Sequence, residues 1–246
     1  MVNSGIYSGL CSAKSAGSKR IAMLLDPDKF ISPLAGSELD VAVEAGIDYF
    51  FIGGSLIAHP GLDAFLESVR KRCDIPLVLF PGSFFQLSYK ADALLFLSLI
   101  SGRNPELLIG QHVIAAPFLK LSPLEIVSTG YMLVDGGVNT SVQYMSNTVP
   151  IPHNKNDIAV STALAGEMLG LKALYLEAGS GARNPVSESM IADVSRAVSV
   201  PLIVGGGIRN AESVGAAYRA GADLVVVGNA LEKNPGLIRE LAAARY

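Results

Sequence analysis

Leu202-Ile203-Val204-Gly205-Gly206-Gly207-Ile208-Arg209-Asn210 opens with an apolar run of the kind that forms a strand buried on both faces. The glycines that follow leave backbone N–H groups open to close approach by an anion. A helix beginning near Asn210 aims its N-terminus at the same place. Strand, glycine turn and helix in immediate succession form one βα unit of a parallel α/β fold.

Reading outward, the unit repeats. Downstream, Asp223 to Val227 is an apolar run that ends in Gly228-Asn229. Upstream, Ala173 to Leu176 leads into Glu177-Ala178-Gly179-Ser180-Gly181. Near the start of the chain, Arg20 to Leu25 leads into Asp26-Pro27-Asp28-Lys29, and Asp48 to Ile52 leads into Gly53-Gly54-Ser55. Further strands are expected at Leu77 to Phe80 (stopped by Pro81-Gly82), Ala93 to Leu99 and Tyr131 to Val134. Helices are expected at Gly36–Ala45, Pro60–Arg72, Asp157–Leu169, Glu188–Val198, Ala211–Ala220 and from Leu231 onward. The phrase Ala-Gly-X-Asp occurs at Ala45 and at Ala220, where a helix C-cap leads into a strand. Strand number and order predict an α/β fold, a (β/α)8 TIM-like barrel spanning 1–246, with 1–19 as a loose N-terminal arm.

Two stretches break the rhythm. Phe80 to Tyr89 is aromatic and carries no long helical pattern, which predicts an irregular or missing helix after the third strand. Gly136 to Asn156 reads as a long polar loop on the strand-end face, either a lid over the site or a mobile surface loop.

The composition agrees. The 246 residues are 50% hydrophobic and only 17% charged, as a sheet covered on both faces requires. A mean hydropathy of +0.41 reflects a large core, an apolar substrate site or a buried oligomer face. A net charge of -3 supplies no basic footprint for nucleic acid. Two cysteines, Cys11 and Cys73, fit a reducing, cytoplasmic location and have no metal-site spacing. No apolar run is long enough to span a membrane.

The strand ends carry the chemistry. Asp26 and Asp28 flank Pro27; carboxylates there hold magnesium together with substrate phosphates, or else begin a helix. Ser55 stands at the neighbouring strand end. Gly205-Gly206-Gly207 and Gly228-Asn229 follow the seventh and eighth strands, where barrels place a phosphate. Glu177 is an acid in an apolar strand end. It is either a general base for a hydroxyl group or the partner of Arg183 or Arg209. His59, His112 and His153 show no ligand spacing and are assigned no role.

Through Asp26-Pro27-Asp28-Lys29, Gly53-Gly54-Ser55, Tyr175 to Gly181, Gly205 to Arg209 and Val227-Gly228-Asn229, the chain resembles the geranylgeranylglyceryl phosphate synthase family, which includes the heptaprenylglyceryl phosphate synthases. The resemblance implies a prenyltransferase of ether-lipid synthesis. It would join the C3 hydroxyl of sn-glycerol 1-phosphate to a polyprenyl diphosphate, geranylgeranyl diphosphate in preference to the C35 donor. It implies Mg2+ at Asp26 and Ser55. Glycerol phosphate would bind at Tyr175, Leu176, Glu177, Ala178, Gly179, Ser180, Gly181, Gly206, Gly207, Gly228 and Asn229, with Tyr175 and Glu177 catalytic. It further implies a homo-oligomer, dimer or hexamer, that meets the membrane surface only transiently. Part of the family has a lysine where this chain has Leu24, so phosphate binding here falls to backbone N–H groups and Arg209. Position at strand ends suggests Phe80, Phe84, Phe85, Tyr131 and Tyr144 for the prenyl groove. Two other readings stand beside this one: a phosphate-binding isomerase or cyclase of the histidine or tryptophan biosynthesis type, and a non-catalytic phosphate-binding scaffold.

Overall fold

The computed structural model describes residues 5–29, 35–228, 231, 234 and 236–245. The elements in chain order are α1 (Ile6–Ala16), β1 (Arg20–Leu25), α2 (Ala35–Glu44), β2 (Tyr49–Ile52), α3 (Leu62–Arg70), β3 (Leu77–Leu79) and β4 (Ala93–Ser98). A π-helical turn, Glu106–Gly110, then runs into α4 (Gln111–Lys120). They continue with β5 (Glu125–Leu133), α5 (Ser141–Ser146), α6 (Asn156–Met168), β6 (Ala173–Glu177), α7 (Glu188–Ala197), β7 (Leu202–Gly205), α8 (Ala211–Ala220), β8 (Leu224–Val227) and α9 (Leu237–Ala243). The strands pair in parallel from β1 to β8, and β8 returns to β1, closing the barrel.

Side chains alternate between two cores. Ile21, Met23 and Leu25 of β1 face the helix layer, as do Leu174 and Leu176 of β6. Ala22, Tyr49, Phe51, Ala173, Tyr175, Ile203 and Val226 fill the barrel interior. Burial on both faces is why these strands read as unbroken apolar runs. The same alternation puts Tyr175 and Glu177 on one face of β6 and turns Leu176 away from them.

The bottom of the barrel departs from expectation. Residues 6–16 form α1 instead of a loose arm. Ile6 and Leu10 enter the interior core. The Glu125 carboxylate caps the helix by accepting the backbone N–H groups of Ile6 (2.5 Å) and Tyr7 (2.9 Å). Lys14 pairs with Asp223 at 3.0 Å. The signal was present as Ile6, Leu10 and Ala13 at spacings of four and three, hidden among Ser, Gly and Lys. Helix α1 thus plugs the N-terminal end of the barrel interior.

No helix follows β3: residues 80–92 are irregular, as the aromatic stretch predicted. Helix α4 was not anticipated, because Pro117 inside it and Gly110 before it break the helical pattern. The fifth strand is longer than the expected Tyr131 to Val134, and the long loop after it contains α5. Among the described residues no helix is long and apolar enough to cross a membrane.

Candidate active site

Glu177 ends β6 on the inward face and is 6% exposed. One carboxylate oxygen accepts the Gly179 N–H at 2.6 Å, and the Tyr175 hydroxyl donates to the carboxyl group. Burial disfavours the charged form and pushes the Glu177 pKa up to about 7, against the pull of those two donors. Among the described residues neither Arg183 nor Arg209 pairs with it; the Arg209 guanidinium donates to the Ala182 carbonyl at 2.6 Å instead. Glu177 is thus a buried acid that exchanges its proton near neutrality, the property a general base requires.

An aromatic floor lies beside it. The Phe80 ring, immediately after β3, stacks on Tyr175 with centroids 5.2 Å apart and planes 7° from parallel. Tyr131 of β5 lies 5.9 Å from Phe80 and 5.4 Å from Tyr175. Both tyrosine hydroxyls are held protonated, first by burial and then by the neighbouring Glu177.

The glycine loops form one wall of a cavity of about 730 Å³ over this floor. Gly206 and Gly207, Ser180 and Gly181, and Gly228 all line it. Gly206 adopts φ +81°, and a Cβ there would strike Glu177 Oε1 and come within 2.5 Å of the Gly179 nitrogen. The loops after β6 and β7 therefore touch only because residue 206 has no side chain. Helix α8 starts behind them, with the Asn210 side chain capping the Ser213 N–H at 2.9 Å. Its positive end and the Arg209 cation make this wall favourable for an anion. Leu176 and Ala178 pack into the helix-facing core, so neither side chain enters the cavity. Asn229 lies outside the described residues.

Asp26 and Ser55 line the same cavity at the ends of β1 and β2. An Asp26 carboxylate oxygen stands 3.3 Å from where a Cβ on Gly54 would sit, and the other oxygen accepts the Asp28 N–H at 3.1 Å. Lys29 pairs with Asp26 at 3.3 Å. Asp28 is used differently: it accepts the N–H groups of Ala58 (2.6 Å) and His59 (3.2 Å), tying the loop after β1 to the loop after β2. Those bonds hold its carboxyl below the usual carboxylate range. No group of three acidic, histidine or cysteine side chains gathers among the described residues. One carboxylate and one hydroxyl nevertheless fit magnesium, which takes few protein ligands and completes its shell with phosphate and water.

A second cavity, about 740 Å³, continues from the first. The two share Gly54, Ser55, Leu56, Phe80, Tyr131 and Val142. It runs between the irregular 80–92 segment and α4, over β4 residues Leu94 to Leu97. Phe80, Phe84, Phe85 and Tyr131 line it as the sequence suggested. Tyr144 does not line it and is 85% exposed, while Val142 and the half-exposed Met145 do line it. Leu107, Gln111, Ala115 and Leu119 also line it. Their four-residue spacing was a legible helical stripe, masked by Pro117. His112 lies in this apolar wall, edge-on to Phe96 at 4.4 Å, and burial lowers its pKa.

Comparison with known proteins gives a consistent result. A family model described as the PcrB family matches residues 16–245. Geranylgeranylglyceryl phosphate synthase of Chitinophaga pinensis is 55% identical over 240 residues, 97% of this chain and 95% of its own. The protein of that name from Thermococcus kodakarensis is 42% identical over 212 residues, 86% of this chain and 83% of its own. Among solved structures, (S)-3-O-geranylgeranylglyceryl phosphate synthase from Thermoplasma acidophilum in complex with substrate sn-glycerol-1-phosphate is similar with a TM-score of 0.91 and 29% identity, covering 98% of both chains.

Proposed function

We propose that this chain, which belongs to the PcrB family, is a prenyltransferase that alkylates the C3 hydroxyl of sn-glycerol 1-phosphate with a geranylgeranyl group. The observation that carries the reading is the two-part site. A polar cavity holding Glu177 and the glycine loops opens, across Phe80 and Tyr131, into an apolar groove of about 740 Å³. A phosphorylated polyol fits the first part and a long hydrocarbon the second, with their reacting ends at the seam. An isomerase or cyclase of small phosphorylated metabolites has no use for the groove.

In the proposed reaction the bond from the allylic C1 to the diphosphate oxygen breaks, and the electron pair leaves with the diphosphate. The glycerol C3 oxygen bonds to C1, forming the ether, and Glu177 accepts the hydroxyl proton. The Phe80, Tyr131 and Tyr175 ring faces suit the positive charge that builds on the allylic carbon. Backbone N–H groups of the loops after β6, β7 and β8 hold the glycerol phosphate, with Arg209 and the α8 N-terminus adding charge. Asp26 and Ser55 would hold Mg2+, whose chemistry is to neutralise charge on the departing diphosphate. Exposed apolar side chains on and beside α4, including Ile109, Val113, Phe118 and Leu121, support a homo-oligomer. Free Cys11 and Cys73 support a cytoplasmic location.

The test is transfer of label from sn-glycerol 1-phosphate into organic-extractable product with geranylgeranyl diphosphate, with the 3-phosphate as control. Magnesium-dependent product from the 1-phosphate alone is expected; no product with prenyl donors of any length overturns the reading. Asp26→Asn is expected to lower kcat about 10²- to 10³-fold, the equivalent of several kcal/mol of lost charge stabilisation, and to weaken the magnesium response. An unchanged magnesium titration would move the metal off Asp26.

A further inference from the structure

The connection from β3 to β4 lacks a helix, and one buried side chain organises its first turn. Gln86 is 6% exposed. Its Nε2 donates to the Gly54 carbonyl at 3.0 Å, and its Oε1 accepts the Gly82 N–H at 2.9 Å. Both ends of the amide are used, one on each of two neighbouring loops. Those loops lie backbone to backbone: a Cβ on Gly82 would come within 2.5 Å of the Gly54 oxygen and 3.0 Å of the Ser55 Cα.

A planar trans peptide points its N–H opposite to its C=O. The Gly54 carbonyl held by Gln86 therefore turns the Ser55 N–H away from the β3 loop. From the β1 side, Asp28 holds the same loop further along, through Ala58 and His59. The loop is thus gripped from both neighbouring strand ends. Ser55 sits between the grips, where the two cavities meet.

We propose that Gln86 is a positioning residue: by holding Gly54 and Gly82 together it orients the Gly54–Ser55 peptide, so that Ser55 and Asp26 jointly receive the diphosphate end of the prenyl donor. This rests on the prenyl-diphosphate reading of the site. Gln86 acts through the loop and touches neither reacting atom. A buried amide that merely stabilised the fold would affect both substrates alike. One that orients the Ser55 loop affects the diphosphate and spares the glycerol phosphate, whose loops follow β6, β7 and β8.

Gln86→Met keeps the length of the side chain and deletes both hydrogen bonds. In calorimetric titrations without turnover, its affinity for magnesium pyrophosphate is expected to fall about 10-fold or more, the usual cost of losing a group that orients a metal ligand. Affinity for sn-glycerol 1-phosphate is expected to stay within about twofold of wild type by the same argument. KM for the prenyl donor should rise with the first of these. Gln86→Glu keeps an acceptor for Gly82 and loses the donor to Gly54, and serves in the same titrations if the methionine variant does not fold. Unchanged pyrophosphate affinity, or equal loss for both ligands, overturns the positioning role. A wild-type protein that takes up no magnesium pyrophosphate overturns the prenyl-diphosphate reading itself, and this inference with it.

Discussion

Glu177→Gln is expected to lower kcat by about 10²- to 10⁴-fold, the usual contribution of a positioned general base, with sn-glycerol 1-phosphate binding kept within a few-fold. Glutamine retains an oxygen to accept the Gly179 N–H, so the loop after β6 keeps its anchor. What it lacks is the capacity to take a proton. In the wild type, kcat/KM should rise with pH up to about 7, where Glu177 becomes ionised, and then level off. The residual rate of the variant should lose that rise. Full activity in Glu177→Gln would remove this residue from the mechanism.

The same substitution carries an independent thermodynamic signature. Burial raises the carboxyl from its ordinary 4.5 to about 7 in the folded chain. Between those values the folded state binds more protons than the unfolded state, so stability falls as pH rises through the window. The stabilising contribution is fully present below about 4.5 and is lost above about 7. Glutamine is neutral throughout. The variant should therefore melt higher than the wild type at pH 8, with the difference shrinking toward pH 5. Thermal melts at the two pH values check this without any substrate. A stabilised, inactive variant is the mark of an acid kept buried for chemistry rather than for folding.

Gly206→Ala is expected to abolish glycerol phosphate binding and to destabilise the chain by on the order of 2 kcal/mol, or roughly 4–8 °C in Tm for a chain of this size. Two causes act together. The backbone at φ +81° lies where L side chains rarely go, and the added Cβ would press on the Glu177 carboxylate and the Gly179 and Ala178 nitrogens. Relief requires the loops after β6 and β7 to separate, which dismantles the wall of N–H groups proposed for the phosphate. Calorimetry with sn-glycerol 1-phosphate, paired with a thermal melt, checks both parts. Retained affinity would place the phosphate elsewhere in the cavity.

Legibility followed the range of the signal. Eight strands and most of their helices were readable because burial on both faces gives unbroken apolar runs, and caps such as Asn210 mark helix starts locally. The missing helix after β3 was readable for the same reason, since Phe80 to Tyr89 has no helical period. Helix α1 was missed because Ile6 and Leu10, set among Ser, Gly and Lys, find their packing partners only in the barrel end they plug. Helix α4 was missed because Pro117 contradicts the local pattern, and packing overrides it.

By itself, then, the sequence determined the barrel, the strand ends that carry chemistry and the residue types of an anion site. Periodicity, glycine placement and an isolated acid are properties of neighbouring residues. Only the tertiary structure decided which of these groups meet. It put Tyr175 beside Glu177 and Gly206 against the end of β6, and tied Asp28, at the rim of the same cavity as Asp26, to the loop after β2. It also set the Glu177 proton affinity, because desolvation depends on everything packed around the carboxyl and not on the residues beside it in the chain.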